Sequence, residues 1–122
     1  MIALSLPIPP SVNALYRNVP KIGRVKTSVG KEWARQAGWM ARKQLGPVKE
    51  RLIPSGDVKL TILIERKKRH TDLDNTLKGI LDLLTQMWVY TDDSQVAHID
   101  IKWGSVEGCL VKVEAIGPAV MS

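Results

Sequence analysis

The sequence predicts an α+β domain: a small mixed β-sheet of about four strands with two main helices packed on it, in the order β-α-β-α-β-β. Three observations carry this expectation. Val58, Leu60, Ile62 and Ile64 alternate with Lys59, Thr61, Leu63 and Glu65, the period of a half-buried strand. Leu77, Ile80, Leu81 and Leu84 keep the i, i+3, i+4, i+7 spacing of an amphipathic helix. No internal repeat, low-complexity tract or linker divides the 122 residues, a length that suits one domain of modest core.

Taken in order, Ile2, Leu4 and Leu6 alternate up to Pro7 and predict a short opening strand. Residues 7–30 are rich in Pro, Asn, Gly and Lys and read as a long loop, a length that in a small domain points to function. Thr27-Ser28 offers a cap before a helix over residues 31–45, ended by Gly46-Pro47. Trp33, Ala37, Met40 and Gln44 share one face of it, which makes Trp33 and Met40 core residues. The strand over 58–65 runs into the basic stretch Arg66-Lys67-Lys68-Arg69-His70, and the second helix covers about 75–87. After a turn at 91–94, Ala97, Ile99, Ile101 and Trp103 alternate as another strand. Residues 104–108 turn the chain into a last strand with Cys109, Val111 and Val113 on one side.

With 44% hydrophobic and 25% charged residues, the composition is that of a folded soluble domain. The apolar stretch Met1 to Ile8 is short, lacks a basic lead-in and stops at Pro9-Pro10, so it reads as neither a signal peptide nor a membrane span. A single cysteine, Cys109, excludes an intrachain disulfide and fits a cytoplasmic location. His70 and His98 stand apart from any zinc-ligand spacing. The net charge of +6 is uneven: residues 1–56 hold ten Lys/Arg against two acids, a net +8, while the remainder is −2. A half that basic marks a phosphate-binding surface. Its expected DNA contacts are Arg17, Lys21, Arg24 and Lys26 in the first loop, joined by Arg66, Lys67, Lys68 and Arg69.

Five of the twelve acids (Asp72, Asp74, Asp82, Asp92 and Asp93) fall within one short window that the basic run leads into. Clustered carboxylates beside clustered cations point to a site binding a divalent metal and a polyanion together, the chemistry of a metal-dependent nuclease. Mg²⁺, with Mn²⁺ as a substitute, chooses oxygen ligands and keeps several waters, so few carboxylates suffice. Asp72 and Asp74, one residue apart, point to the same side of an extended segment, and Asp93 would complete the site if it came near. Lys78 lies about 110° from the centre of the apolar helix face, where it can look toward Asp74 and steady a charged phosphate. Asp82 lies roughly 150° away, nearer to solvent, and is set aside. Ordinary explanations compete with each of these. Asp72 or Asp74 can cap the helix, Asp74 and Lys78 can form an i, i+4 pair, and Asp92-Asp93 can be turn residues. A non-catalytic protein binding branched nucleic acid, or a metal nuclease acting on other DNA or RNA structures, are the rival readings.

The motifs Pro9-Pro10-Ser11-Val12-Asn13 with Tyr16-Arg17, and Thr27-Ser28 to Trp33, precede a more specific set. That set is Asp72-Leu73-Asp74-Asn75-Thr76-Leu77-Lys78, Leu81-Asp82-Leu83-Leu84, and Asp92-Asp93-Ser94-Gln95-Val96. In this combination and at this separation, the chain resembles the RusA-type Holliday junction resolvases over most of its length. The resemblance implies a Mg²⁺-dependent, homodimeric endonuclease that binds four-way DNA junctions and nicks two strands of like polarity symmetrically. It implies essential acids at Asp72, Asp74 and Asp93, all three holding metal, and a helpful lysine at Lys78. Residues 1–117 would then be a single RusA-like endonuclease domain and 118–122 a frayed tail. One departure is that His70-Thr71 stands where the family often has arginines. There is also a geometric tension. Were 58–65 and 96–103 adjacent parallel strands joined by the helix, the two acidic motifs would sit at opposite sheet ends. Either the 88–95 loop runs back toward Asp72, or Asp93 comes from the other subunit.

Overall fold

A computed structural model describes residues 1–11, 14, 16–66 and 73–117. Among the described residues six strands and two main helices follow one another: β1 (Ile2–Leu6), β2 (Tyr16–Val19), β3 (Gly23–Lys26), α1 (Ser28–Leu45), β4 (Asp57–Glu65), α2 (Leu77–Gln86), β5 (Val96–Gly104) and β6 (Cys109–Gly117). Short 3₁₀ turns at Asp74–Thr76 and Asp93–Gln95 precede α2 and β5. β1, β6, β4 and β5 form the main sheet in that spatial order, and β2 pairs with β3 in a separate hairpin. The α+β class and the order of the main elements are as the sequence predicts. The hairpin is the difference: residues 7–30 are not one loop, because Tyr16–Val19 pairs with Gly23–Lys26 in antiparallel register. The turn between them places Lys21 at φ 68, a left-handed conformation that no apolar pattern announces.

β4 is central and shows why the alternation was legible. Val58, Leu60, Ile62 and Ile64 are fully buried, while their alternate neighbours are half-buried on the other face. Opposite them lie Val113, Val111 and Cys109 of β6, and across β6 lie Leu4 and Leu6 of β1. The helices cover this one face, through Trp33, Ala37 and Ala41 of α1 and Ile80, Leu83 and Leu84 of α2. Cys109 is buried there, and burial pushes its thiol up to about 12, so it stays protonated and inert. β5 is an edge strand running parallel to β4. Its alternation is weaker because helix coverage thins at the edge: Ile101 and Trp103 are half-buried and Ile99 is exposed.

α1 begins three residues before the predicted start. Thr27 is its N-cap, accepting from the Gly30 N–H at 3.0 Å, and Gly46 at φ 73 ends it. Met40 is half-buried, but Gln44 is not a core residue. Its amide accepts from Ser5 N–H at 2.7 Å and donates to Ser5 C=O at 2.8 Å, pairing the outer edge of β1 as a further strand would. Gly108, at φ +72, turns β5 into β6 against Leu6, where an added Cβ would meet the Leu6 carbonyl oxygen at 2.6 Å. The expected tail, 118–122, lies outside the described residues. Among the described residues no helix is long and apolar enough to cross a membrane.

Candidate active site along the second helix

The first acidic motif reaches α2 through the 3₁₀ turn. Thr76, almost fully buried, donates its hydroxyl to the Leu73 carbonyl at 2.6 Å and fixes that turn. Neither the turn nor α2 has a side-chain N-cap, so Asp74 is not spent on capping. Nor does it pair with Lys78: the Lys78 ammonium lies 3.0 Å from Asp82 Oδ1. Among the described residues the Asp74 carboxylate takes no hydrogen bond or ion pair, and the residue is exposed. Asp72, Lys67, Lys68, Arg69 and His70-Thr71 lie outside the described residues.

Asp82, set aside by helix angles, is the surprise. Its side chain is only 25% exposed, because Tyr16 of the hairpin reaches across and donates its hydroxyl to Oδ2 at 2.5 Å. Helix-angle arithmetic measures a side chain against the sheet and is blind to a second body covering the flank. The Tyr16 hydroxyl is pushed up to about 12, by burial first and then by the Asp82 carboxylate it donates to. Arg24 sits 4.9 Å from the Tyr16 ring centre and opposes that rise. Tyr16, Asp82 and Lys78 therefore tie the basic hairpin to α2. Arg17, Lys21 and Arg24 are exposed on that hairpin and Lys26 is half-buried. Arg66, at the far end of β4, stacks 5.6 Å from the Trp103 ring centre.

The second acidic motif is a built turn. Asp92 Oδ2 accepts from Ser94 N–H at 3.0 Å, so the turn explanation holds for this residue. The Ser94 hydroxyl first, and then that N–H, hold the Asp92 carboxyl below the usual range. Gln95 is the hub: its Oε1 accepts from Thr91 and Asp92 N–H at 2.7 and 3.1 Å, and its Nε2 donates to the Ile53 and Gly56 carbonyls, both at 3.1 Å. Asp93, between them, is half-buried, and its Oδ1 accepts from Thr85 Oγ1 at 2.7 Å and Tyr90 OH at 3.2 Å. Burial of Tyr90, with the Asp93 charge beside it, drives the phenol well above its ordinary value. Among the described residues Asp93 Oδ2 has no partner.

Asp74, Lys78, Asp82 and Thr85 recur at helical spacing, so one flank of α2 carries acid, base, acid and then Asp93 through Thr85. The row is long. Eleven residues separate Asp74 from Thr85, roughly 16 Å of helix, whereas ligands of one magnesium-class ion sit about 2.1 Å from it. β4 and β5 are indeed adjacent and parallel, and the 88–95 segment meets α2 through Thr85–Asp93 and Tyr90–Leu81. Carboxylate donors suit a hard divalent cation, and Asp93 meets α2 at Thr85 and, through Tyr90, at Leu81, well along the helix from Asp74. Among the described residues no three acids, histidines or cysteines come together as a metal cluster.

An acidic row is thus joined to a basic hairpin on a small α+β domain. The particular family follows from comparison with known proteins: residues 7–114 match the family described as Endodeoxyribonuclease RusA, nearly the whole chain, and the protein belongs to that family. Searched against curated proteins, the chain finds no match. Sequence reasoning missed Tyr16, Thr85, Tyr90 and the structural role of Gln95. For Gln95 the signal was present, since Asp92-Asp93-Ser94-Gln95 has the spacing of a capping box.

Proposed function

We propose that the protein is a divalent-metal-dependent endodeoxyribonuclease that resolves four-way DNA junctions by paired symmetric nicks, with Mg²⁺ as its ion. The supporting observation is the α2 flank, where among the described residues the Asp74 carboxylate enters no cap or ion pair, beside a family match that covers the domain. Asp72, Asp74 and Asp93 are the proposed essential acids. Lys78, held by Asp82, is the cation that faces the phosphate, and Tyr16 keeps that pair in register with the hairpin. Arg17, Lys21, Arg24, Lys26 and Arg66, with Lys67, Lys68 and Arg69, are the proposed phosphate contacts, so binding falls steeply with salt. Residues 1–117 are taken as one endonuclease domain of a cytoplasmic protein.

The separation of Asp74 from Asp93 favours a homodimer in which Asp93 serves the partner's Asp72 and Asp74. A C₂ dimer also matches the approximate two-fold symmetry of a four-way junction. Mixing inactive Asp74→Asn and Asp93→Asn chains tests the shared version: heterodimers regain one active site, and no rescue refutes it. The function itself is tested with a labelled synthetic junction, linear duplex and flap controls, in Mg²⁺ and in EDTA. Paired nicks on the junction alone, absent in EDTA, support it. Tight junction binding without cleavage in Mg²⁺ or Mn²⁺ would move the protein to the class of non-catalytic branched-DNA binders.

A further inference from the structure

Away from the acidic row, α1 and the C-terminal end of α2 enclose a second feature. Arg35, Trp39, Arg42 and Lys43 recur at three- and four-residue spacing and form one exposed stripe of α1, which ends at the half-buried Gly46. Facing them are Gln86, Met87 and Trp88. Between the two walls lie two hollows of about 390 and 420 Å³, and a third of about 450 Å³ opens on the α1 side alone; all three share Arg42 as a lining residue. Two tryptophans are left open there, Trp39 at 61% and Trp88 at 41% exposure. Each ring carries a cation: Lys43 lies 4.3 Å from the Trp39 centre and Arg51 5.0 Å from the Trp88 centre. Among the described residues no acid lines any of the three hollows.

Trp88 is also held where an aromatic residue rarely sits, at φ 63. Such backbone persists only where surrounding structure fixes it. Here its carbonyl accepts from Leu52 N–H at 2.9 Å, which docks Arg51 beside the ring. The groove leads toward the acidic row, because Gln86, Ala34 and Leu83 also line the narrow cleft that contains Tyr16 and Asp82.

We propose that this groove binds a short single-stranded DNA segment, with unstacked bases on Trp39 and Trp88 and phosphates on Arg42, Lys43 and Arg51. Aromatic faces with cations beside them are the recognition chemistry of single strands, whose bases are free to stack on protein. A duplex offers phosphates but keeps its base faces inside the stack, so it would leave both rings idle. The choice of DNA rests on the nuclease reading; the chemistry of a base on a ring beside a cation does not.

The test is fluorescence anisotropy of a short labelled oligothymidylate, in EDTA, against an equal-length duplex. Trp39→Leu and Trp88→Leu are each expected to weaken oligothymidylate binding roughly five- to hundred-fold while leaving the duplex unchanged. Arg42→Gln is expected to flatten the salt dependence of single-strand binding. Circular dichroism and urea midpoints verify folding, and if Trp88→Leu unfolds, Trp39→Leu decides alone. Single-strand binding unchanged in Trp39→Leu, or weakened equally for duplex, overturns the proposal. Junction cleavage assayed on the same preparations separates the two ideas. Cutting with tryptophan-independent oligothymidylate binding sinks the groove alone. Tryptophan-dependent binding in a protein that cuts nothing supports the groove and sinks the nuclease reading.

Discussion

The two acidic motifs of this chain are held in opposite ways. Asp93 stands in a turn fixed by the Asp92 cap, by the four hydrogen bonds of Gln95, and by hydroxyls from Thr85 and Tyr90 on its own carboxylate. Asp74 stands on a 3₁₀ turn whose side-chain support goes to the backbone, through Thr76, and among the described residues none of it goes to the carboxylate. Within the described residues, one acid is pre-oriented by the fold and the other is exposed without a partner. A site assembled from both would need little reorganisation at the Asp93 side, with the adjustment falling on Asp74.

The largest expected effect tests the exposed acid. Asp74→Asn should lower junction cleavage by at least about a hundred-fold, as loss of a group acting on developing charge does. Its junction affinity and urea midpoint should stay near wild type, since exposed substitutions cost within about 0.5 kcal/mol. Equal loss of binding and cutting would assign Asp74 a structural role.

Breaking the built side should instead appear in stability. Gln95→Ala removes acceptors and donors for four backbone groups and should cost about 1–3 kcal/mol in urea unfolding. A change confined to cleavage would show that the turn does not depend on this hub. A smaller step is Tyr90→Phe, which leaves Thr85 alone on Asp93 and should cost about 1 kcal/mol.

Two pH effects sharpen the contrast further. Folding raises Tyr16 from its ordinary 10 to about 12, so its contribution is complete below pH 10 and is lost as pH climbs toward 12. Tyr16→Phe should remove that part of the alkaline loss in urea midpoints measured across pH 9 to 12, within the range set by those values. Asp92 works in the other direction and should be the smallest effect. Its carboxyl is lowered by Ser94, so its contribution is present above the usual carboxylate range and fades as the solution is acidified through it. Asp92→Asn, which can still cap, should flatten the acid limb of the stability profile without changing neutral cleavage.

What the sequence determined by itself is whatever rests on local period and local chemistry. The alternation at 58–64 gave β4 because each residue's face depends only on its neighbours two places away. The leucine spacing gave α2, Thr27 and Gly46 gave the ends of α1, and the acids beside Lys78 marked the flank of α2 as the region to watch. Tertiary structure decided which partner each acid meets. The hydrogen bond from Tyr16 to Asp82 joins residues 66 apart, and those from Gln95 to residues 53 and 56 span 42 and 39. No period encodes such a meeting. It arises when a hairpin folds over the flank of α2, and when the parallel pairing of β4 with β5 sets Asp93 at the far end of the helix from Asp74.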